Sequence, residues 1–258
     1  MTQSLHPAAQ KGFSSAAELY QQVRPGYPQD IVSWLKDQLH LNKNSSVVDL
    51  GAGTGKFLSS LQQITTQITA VEPVAEMLTQ LKQAFPDVNT LQAFSNDLPL
   101  ASGTIDAVVC AQSFHWFASM DTLTEIHRIL KSKGQLGLIW NQRDTRVDWV
   151  QALAELIAPM EQDTPRFHSG LWQNVFSDQT LFHAEPLHQF EHNQTGTVEQ
   201  VVSKRLLSTS FIAAMPQEQQ SQLKAQFKDI VFQHCSKRHQ DEISFPYVTY
   251  AYNFTKID

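Results

Sequence analysis

The stretch VVDLGAGTGKF, residues 47–57, decides the fold. A short apolar run leads into three glycines at alternate positions, and helix-spaced apolar residues begin at Phe57. Glycines at such positions let the backbone turn sharply and come close to a ligand. A strand, a glycine loop and a helix in this order predict an α/β fold with a ligand site at the carboxyl end of the strand.

Strands and helices alternate around this loop. Predicted strands lie at 67–72, 88–94, 105–111 and 135–140, and predicted helices begin at Pro28 and cover 123–130. The alternation from about 46 to 141 predicts a doubly wound, mostly parallel sheet covered by helices on both faces. Beyond it, the pattern predicts helices near 149–157, 198–207 and 217–235, and two more strands near 187–192 and 243–252.

The composition excludes several classes of protein. The chain has 258 residues, 41% of them hydrophobic, a net charge of −6 and two cysteines. No apolar run approaches the roughly 20 residues that span a bilayer, and residues 1–10 lack the basic start and apolar centre of a signal peptide. These features predict a reduced, cytoplasmic setting and a small-molecule partner, with no membrane and no nucleic acid.

Three nucleotide-type ligands compete for the glycine loop. A P-loop is disfavoured because Leu50 and Phe57 stand where that motif needs glycine and serine or threonine. A dinucleotide is disfavoured because the third glycine, Gly55, comes one residue early. Glu72 ends the next predicted strand, where a carboxylate accepts hydrogen bonds from ribose hydroxyls, but it serves NAD and S-adenosylmethionine (SAM) equally.

The ordered motifs resemble those of class I SAM-dependent methyltransferases, specifically the type 11 methyltransferases. More specifically, they are similar to those of a subgroup related to trans-aconitate methyltransferases. The resemblance covers most of the chain and is carried by these segments: residues 20–28 (YQQVRPGYP), 47–56, 70–73 (AVEP), 94–99 (FSNDLP), 105–109 (IDAVV), 111–117 (AQSFHWF), 125–131 (EIHRILK) and 140–144 (WNQRD).

The resemblance implies a Rossmann-like SAM methyltransferase fold with a seven-stranded sheet and helical caps. It divides the chain into an N-terminal helical lid (1–43), a SAM-binding core (44–145), and cap helices with the last two strands (146–258). Phe94 replaces the small acidic residue usual in the adenine segment, which leaves adenine to the backbone or to Asn96. The implied SAM-binding residues are Tyr20, Arg24, Asp49, Gly51, Ala52, Gly53, Glu72, Pro73, Met77, Phe94, Ser95, Ala111 and Gln112.

His115 is the main catalytic candidate because it follows the buried strand 105–111. An imidazole could take a proton from a hydroxyl or amine nucleophile. If the acceptor is a carboxylate, no base is needed and His115 would only orient it. Packing between its aromatic neighbours is an equal alternative. Arg24, Arg143 and Arg146 could clamp an anionic acceptor.

A metal site is not expected. His234, Cys235 and His239 lie close in sequence but lack a fourth ligand nearby.

The predicted function is SAM-dependent methyl transfer to a small molecule, with a carboxylate or another oxygen nucleophile as one possible acceptor. The alternatives are an NAD(P)-binding Rossmann oxidoreductase, which would share the loop and Glu72, and a SAM-binding protein without catalysis. The acceptor and the oligomeric state stay open at this point.

Overall fold

A computed structural model describes residues 22–177 and 180–258. The strands are β1 (Val47–Leu50), β2 (Ile68–Val71), β3 (Asn89–Leu91), β4 (Ile105–Ala111), β5 (Leu130–Arg143), β6 (Phe182–Ala184), β7 (His188–Thr197) and β8 (Glu242–Lys256). The α-helices are α1 (Asp30–Asp37), α2 (Leu58–Leu61), α3 (Ala75–Ala84), α4 (Met120–Ile129), α5 (Asp148–Ile157), α6 (Arg205–Leu207), α7 (Ser210–Ala213) and α8 (Gln217–Cys235). Shorter helical turns are Phe114–Trp116, Ala158–Met160 and Leu171–Phe176, and a wider turn, Val198–Lys204, leads into α6.

The sheet has the predicted doubly wound order. Seven strands lie side by side as β3-β2-β1-β4-β5-β8-β6, and β7 pairs with β8 off this path. The β1/β2, β1/β4, β2/β3 and β4/β5 pairs are parallel, and β6 and β8 are antiparallel. The predicted mostly parallel α/β sheet is therefore confirmed. The three-residue strand β6 was not predicted because it is too short to show an alternating pattern.

Helices cover both faces of the parallel strands. Successive strand residues point to opposite faces, so Val109 packs in one apolar cluster and Val108 in the other. The first cluster includes the buried faces of α1 and α2, and the second includes that of α4. Since α1 lies at residues 30–37, it belongs to the covering layer of the sheet although the predicted lid, 1–43, contains it.

The chain divides into two compact units made of interleaved segments. The sheet unit comprises residues 27–140, 165–190 and 249–258, and the helical unit comprises 141–164, 191–248 and the segment that ends at Gly26. In the helical unit, α5 and α8 share an apolar core with residues 198–212 and 245–247. The predicted lid, core and cap at 1–43, 44–145 and 146–258 stay a prediction about function.

The described residues include neither a membrane-spanning helix nor a cluster of metal ligands. None of the helices at 22–177 and 180–258 is long and apolar enough to cross a membrane. In the same ranges, no three His, Cys, Asp or Glu residues are grouped so that they could hold a metal ion. Cys110 and Cys235 are both free thiols.

Candidate functional site

The candidate site lies where the loops after β1 and β4 meet. These two strands are neighbours at the point where the strand order reverses, which is where open α/β sheets bind ligands. The contact is close, because a Cβ on Gly51 would lie 2.6 Å from Ser113 Cβ. The Ser113 hydroxyl also donates to the Leu50 carbonyl oxygen at 2.7 Å. Sequence reasoning missed Ser113, since nothing in its local pattern reports a neighbour from another strand.

The glycines of the loop have separate tasks. Gly51, Gly53 and Gly55 all have positive φ, at 72°, 59° and 85°, a region that costs other residues energy. A Cβ on Gly53 would meet only the side chain of Met77, at 3.6 Å. A Cβ on Gly55 would lie 2.9 Å from Leu58 and Phe85. Gly53 therefore keeps the loop open, whereas Gly55 allows close packing behind it.

Glu72 ties the glycine loop to the second strand. Its Oε2 accepts a hydrogen bond from the Gly53 N–H at 2.8 Å, and its Oε1 accepts one from the Val74 N–H at 2.9 Å. Burial raises the pKa of Glu72 from 4.5 to about 7, against the lowering effect of these two bonds. Because each carboxylate oxygen has two acceptor positions, Glu72 can hold the loop and still accept hydrogen bonds from a ligand.

Asp49 is a second buried carboxyl group beside Glu72. Its side chain is 1% exposed, and neither oxygen has a hydrogen-bond partner. Burial, followed by repulsion from Glu72, raises the pKa of Asp49 from 3.8 to about 7. A buried carboxylate without a partner is costly unless a cation or a donor joins it.

The two carboxyl groups indicate the charge of the ligand. SAM carries a sulfonium and an ammonium group, and it offers two ribose hydroxyls as donors. The unpartnered Asp49 and the acceptor positions of Glu72 therefore fit SAM. They do not fit a ligand held by its phosphates, because two buried carboxylates repel an anion.

Four further residues that the sequence predicts to bind the cofactor lie in the glycine loop, at the end of β4 or next to Glu72. Ala52 and Ala111 are partly buried against the apolar cluster on one face of the sheet. Gln112 follows β4 with φ 61°, and its N–H donates to the Ile139 carbonyl oxygen at 2.8 Å. Pro73 follows Glu72, and its carbonyl oxygen accepts a hydrogen bond from Gln92 Nε2 at 3.2 Å. A glutamine whose backbone is in the left-handed region directly after a strand is strained, and such strain occurs at functional sites.

The predicted adenine segment has one exposed and one buried residue. Phe94 is 42% exposed, unusual for a phenylalanine side chain. Ser95 is buried, and its hydroxyl shares a 2.8 Å hydrogen bond with the Thr122 hydroxyl. A cofactor contact of Ser95 would therefore use its backbone, while the ring of Phe94 remains available for stacking.

His115 is held by a tryptophan that sequence reasoning did not assign to the site. Trp140 is fully buried near the C-terminal end of β5, and its Nε1–H donates to His115 Nδ1 at 3.0 Å. An indole N–H is a donor only, so Nδ1 must accept and the proton of the neutral ring lies on Nε2. The apolar pattern of residues 135–140 predicts only that Trp140 is a buried strand residue. It carries no information about the partner of its N–H group.

The predicted arginines have different surroundings. Arg24 Nη2 donates to the Ser208 carbonyl oxygen at 2.8 Å, and its Nε donates to the Ser208 hydroxyl at 3.1 Å. Arg146 pairs with Asp144 at 2.7 Å and also with Glu191, so its charge is already compensated. Arg143 is the half-buried last residue of β5. Tyr20 lies outside the described residues.

Side chains of the helical unit hold the segment that carries Arg24. Asn141 Nδ2 donates to the Gly26 carbonyl oxygen at 2.8 Å, and Gln194 Nε2 donates to the Val23 carbonyl oxygen at 2.9 Å. The motif segments 20–28 and 140–144 are thus joined by a direct hydrogen bond. Their distance in sequence concealed this pairing.

Comparisons with known proteins identify the class of protein. A family model described as a methyltransferase domain matches residues 48–138. An uncharacterised methyltransferase-like protein of Schizosaccharomyces pombe is 33% identical over 247 residues, which cover 95% of this chain and 96% of the relative. An uncharacterised methyltransferase of Mycobacterium tuberculosis is 35% identical over 181 residues, or 66% of this chain and 73% of the relative. A methyltransferase structure from Anaeromyxobacter dehalogenans superposes with a TM-score of 0.65 at 17% identity, over 90% of this chain and 97% of that one.

The fold is that of a class I SAM-dependent methyltransferase. The chain belongs to the methyltransferase family that these relatives define, and its cofactor is SAM. Membership of this family decides against the alternative function as an NAD(P)-binding oxidoreductase, which the glycine loop and Glu72 alone did not exclude.

Proposed function

We propose that this methyltransferase transfers the methyl group of SAM to a carboxylate oxygen of a small molecule, as the resemblance to trans-aconitate methyltransferases implies. The single observation that carries the proposal is the hydrogen bond from Trp140 Nε1–H to His115 Nδ1. It fixes His115 as a hydrogen-bond donor at Nε2, and a donor suits an acceptor that is already ionised.

The tautomer supports one of the two roles predicted for His115. A general base must present a lone pair to the proton that it removes. With the proton on Nε2, the only lone pair of His115 is on Nδ1, where Trp140 already donates to it. A hydroxyl or amine acceptor would need that base, whereas a carboxylate is ionised at neutral pH. His115 therefore orients the carboxylate instead of activating it.

The cofactor supplies an electrophilic methyl group, and the chain supplies position. In this proposal Asp49 compensates the positive charge of the donor, and Glu72 holds both the glycine loop and the ribose. Placing two reactants in near-attack geometry contributes about 7–11 kcal/mol in favourable systems. Little else is required of the protein, because the carboxylate needs no proton transfer.

The other predicted residues complete the proposal. We place Gly51, Ala52, Gly53, Pro73, Met77, Phe94, Ser95, Ala111 and Gln112 around the cofactor, with Tyr20 and Arg24 in the lid. Arg24 and Arg143 remain candidates for contact with the acceptor. The net charge of −6 favours a small molecule over nucleic acid.

Methyl transfer from radiolabelled SAM to a panel of mono-, di- and tricarboxylic acids, phenols and amines tests the proposal. Formation of methyl esters is the expected outcome. Methylation of a phenol or an amine alone would assign the wrong acceptor atom. SAM binding without transfer to any member of the panel would favour the alternative of a SAM-binding protein without catalysis.

Two variants distinguish a hydrogen-bond donor role of His115 from a role as general base. His115→Gln keeps an N–H donor and cannot act as a base, whereas His115→Ala removes both functions. Loss of a hydrogen bond to a charged group costs about 1.5–3 kcal/mol, so His115→Ala should be about 10- to 150-fold slower. We expect His115→Gln to keep most of the activity. Equal loss in the two variants would contradict the donor role of His115.

A further inference from the structure

Arg205 is a buried cation without an acidic partner. It begins α6 in the helical unit and is 7% exposed. No carboxylate among residues 22–177 and 180–258 lies within ion-pair distance of its guanidinium group, and its buried Nε has no hydrogen-bond acceptor. By contrast, Arg128 and Arg146 each pair with a carboxylate at 2.7 Å, although they are more exposed.

A buried charge of this kind requires compensation. Charged groups are almost never fully buried unless they are paired, because the loss of hydration is large. The guanidinium lies over the ring of Tyr247, whose centroid is 6.0 Å from Arg205 Cζ. This cation–π distance is at the limit of the useful range, and the contact satisfies none of the five N–H donors of the guanidinium. Arg205 therefore has donors and charge to offer a ligand.

Tyr247 presents a second unsatisfied group beside Arg205. Its side chain is 1% exposed, and its buried hydroxyl has no hydrogen-bond partner. The ring is fixed by stacking on His192 at 5.6 Å and on Phe245 at 5.1 Å. The hydroxyl is thus held in place while it lacks a partner, which is unusual for a buried tyrosine.

A third group of this kind follows in the same stretch. The Thr209 hydroxyl is buried without a partner, four residues after Arg205. The Arg205 cation and the Tyr247 hydroxyl are donors that suit an oxyanion.

We propose that Arg205 and Tyr247 form an oxyanion site that binds a small-molecule carboxylate. Both residues belong to the helical unit, and the inference goes beyond the proposed function. The planar guanidinium matches a carboxylate through two parallel hydrogen bonds. The Tyr247 hydroxyl donates a third bond to the same anion. The uncompensated charge of Arg205 makes the site selective for acidic ligands.

Titrations with succinate, citrate, inorganic phosphate and trimethyl citrate test this site at constant ionic strength and without SAM. Isothermal titration calorimetry and thermal unfolding give the dissociation constants. The expected order is binding of the carboxylates, weaker binding of phosphate and none of the neutral ester. Equal binding of trimethyl citrate would overturn the oxyanion site, and preference for phosphate would overturn the carboxylate assignment.

Variants attribute the binding to the named groups. Arg205→Gln should weaken carboxylate binding about tenfold or more. Tyr247→Phe, which keeps the ring and its stacking, should weaken it about two- to tenfold and provides the test if Arg205→Gln does not fold. The exposed Arg238 of the same unit gives the control Arg238→Gln, which should leave binding unchanged. Unchanged binding in Tyr247→Phe together with a folded, unaffected Arg205→Gln would reject the site.

SAM titrations on the same samples separate this inference from the proposed function. Wild-type protein that binds SAM, while carboxylate binding does not depend on Arg205 or Tyr247, would refute the oxyanion site alone. Carboxylate binding that depends on both residues, in a protein that never esterifies an acid, would refute the proposed function alone.

Discussion

Asp49→Asn should stabilise the free protein at neutral pH and weaken its hold on SAM. Asp49 is buried without a partner, and its pKa rises from 3.8 to about 7. That rise spans roughly three pH units, each worth about 1.4 kcal/mol. Ionisation of Asp49 therefore costs the folded state about 4 kcal/mol when the pH is above 7. An asparagine of the same shape carries no charge and avoids this cost.

The stability of the folded protein should depend on pH with a defined sign. Because the pKa of Asp49 is higher in the folded than in the unfolded chain, the folded protein binds the extra proton between about pH 4 and pH 7, and stability falls as the pH rises through this window. The pKa of Glu72 is also raised to about 7. The free energy of unfolding of the wild type should therefore fall with pH with a slope that corresponds to about two protons. The Asp49→Asn variant should show a slope of about one.

Urea unfolding between pH 4 and pH 8 measures both slopes. The stability of the variant should equal that of the wild type near pH 4 and exceed it by at most about 4 kcal/mol at pH 8. The exposed Asp163 supplies the control Asp163→Asn, which should leave the slope unchanged. If Asp49→Asn has the pH dependence of the wild type, Asp49 is not the buried acid that the structure describes.

SAM binding to the same variant tests whether Asp49 contacts the cofactor. If Asp49 compensates the positive charge of SAM, calorimetry should show an affinity about 10- to 150-fold lower, from the 1.5–3 kcal/mol of a charged hydrogen bond. Wild-type binding near pH 7 should release protons, because the cation favours the ionised carboxyl group. Full affinity in Asp49→Asn would mean that the carboxylate does not contact the cofactor.

Three other predictions follow from single contacts. Gly51→Ala should lower the free energy of unfolding by about 2–5 kcal/mol, from its positive φ and its overlap with the neighbouring loop, whereas Gly53→Ala should lower it by only about 1–2 kcal/mol in the same urea experiment; equal losses would contradict the packing argument. Glu72→Gln should weaken SAM binding by about 1.5–3 kcal/mol in calorimetry, and unchanged affinity would remove Glu72 from the ribose site. Trp140→Phe should slow methyl transfer about two- to tenfold, because His115 would then divide between its two tautomers, and an unaltered rate would show that the indole N–H has no positioning role.

The parallel half of the sheet was predictable from local patterns. Apolar runs that enter glycines, and helices with regular apolar spacing, are short-range signals, and they placed β1, β2 and β4 almost to the residue. The structure departs from the pattern where the signal is short or mixed. The strand β6 has three residues, and β7 continues to Thr197 beyond its predicted end near 192.

The sequence alone determined the class of fold, the glycine loop and the acid at the end of the second strand, because each depends on residues close together in the chain. Only the tertiary structure decided which polar groups face one another. It placed Ser113 against Gly51, the indole N–H of Trp140 on His115, and the buried Arg205 near Tyr247 without a carboxylate. These pairings join positions separated by 25 to 62 residues in the sequence. Burial and hydrogen-bond partners depend on such distant contacts, so no local pattern reveals whether a polar side chain is satisfied.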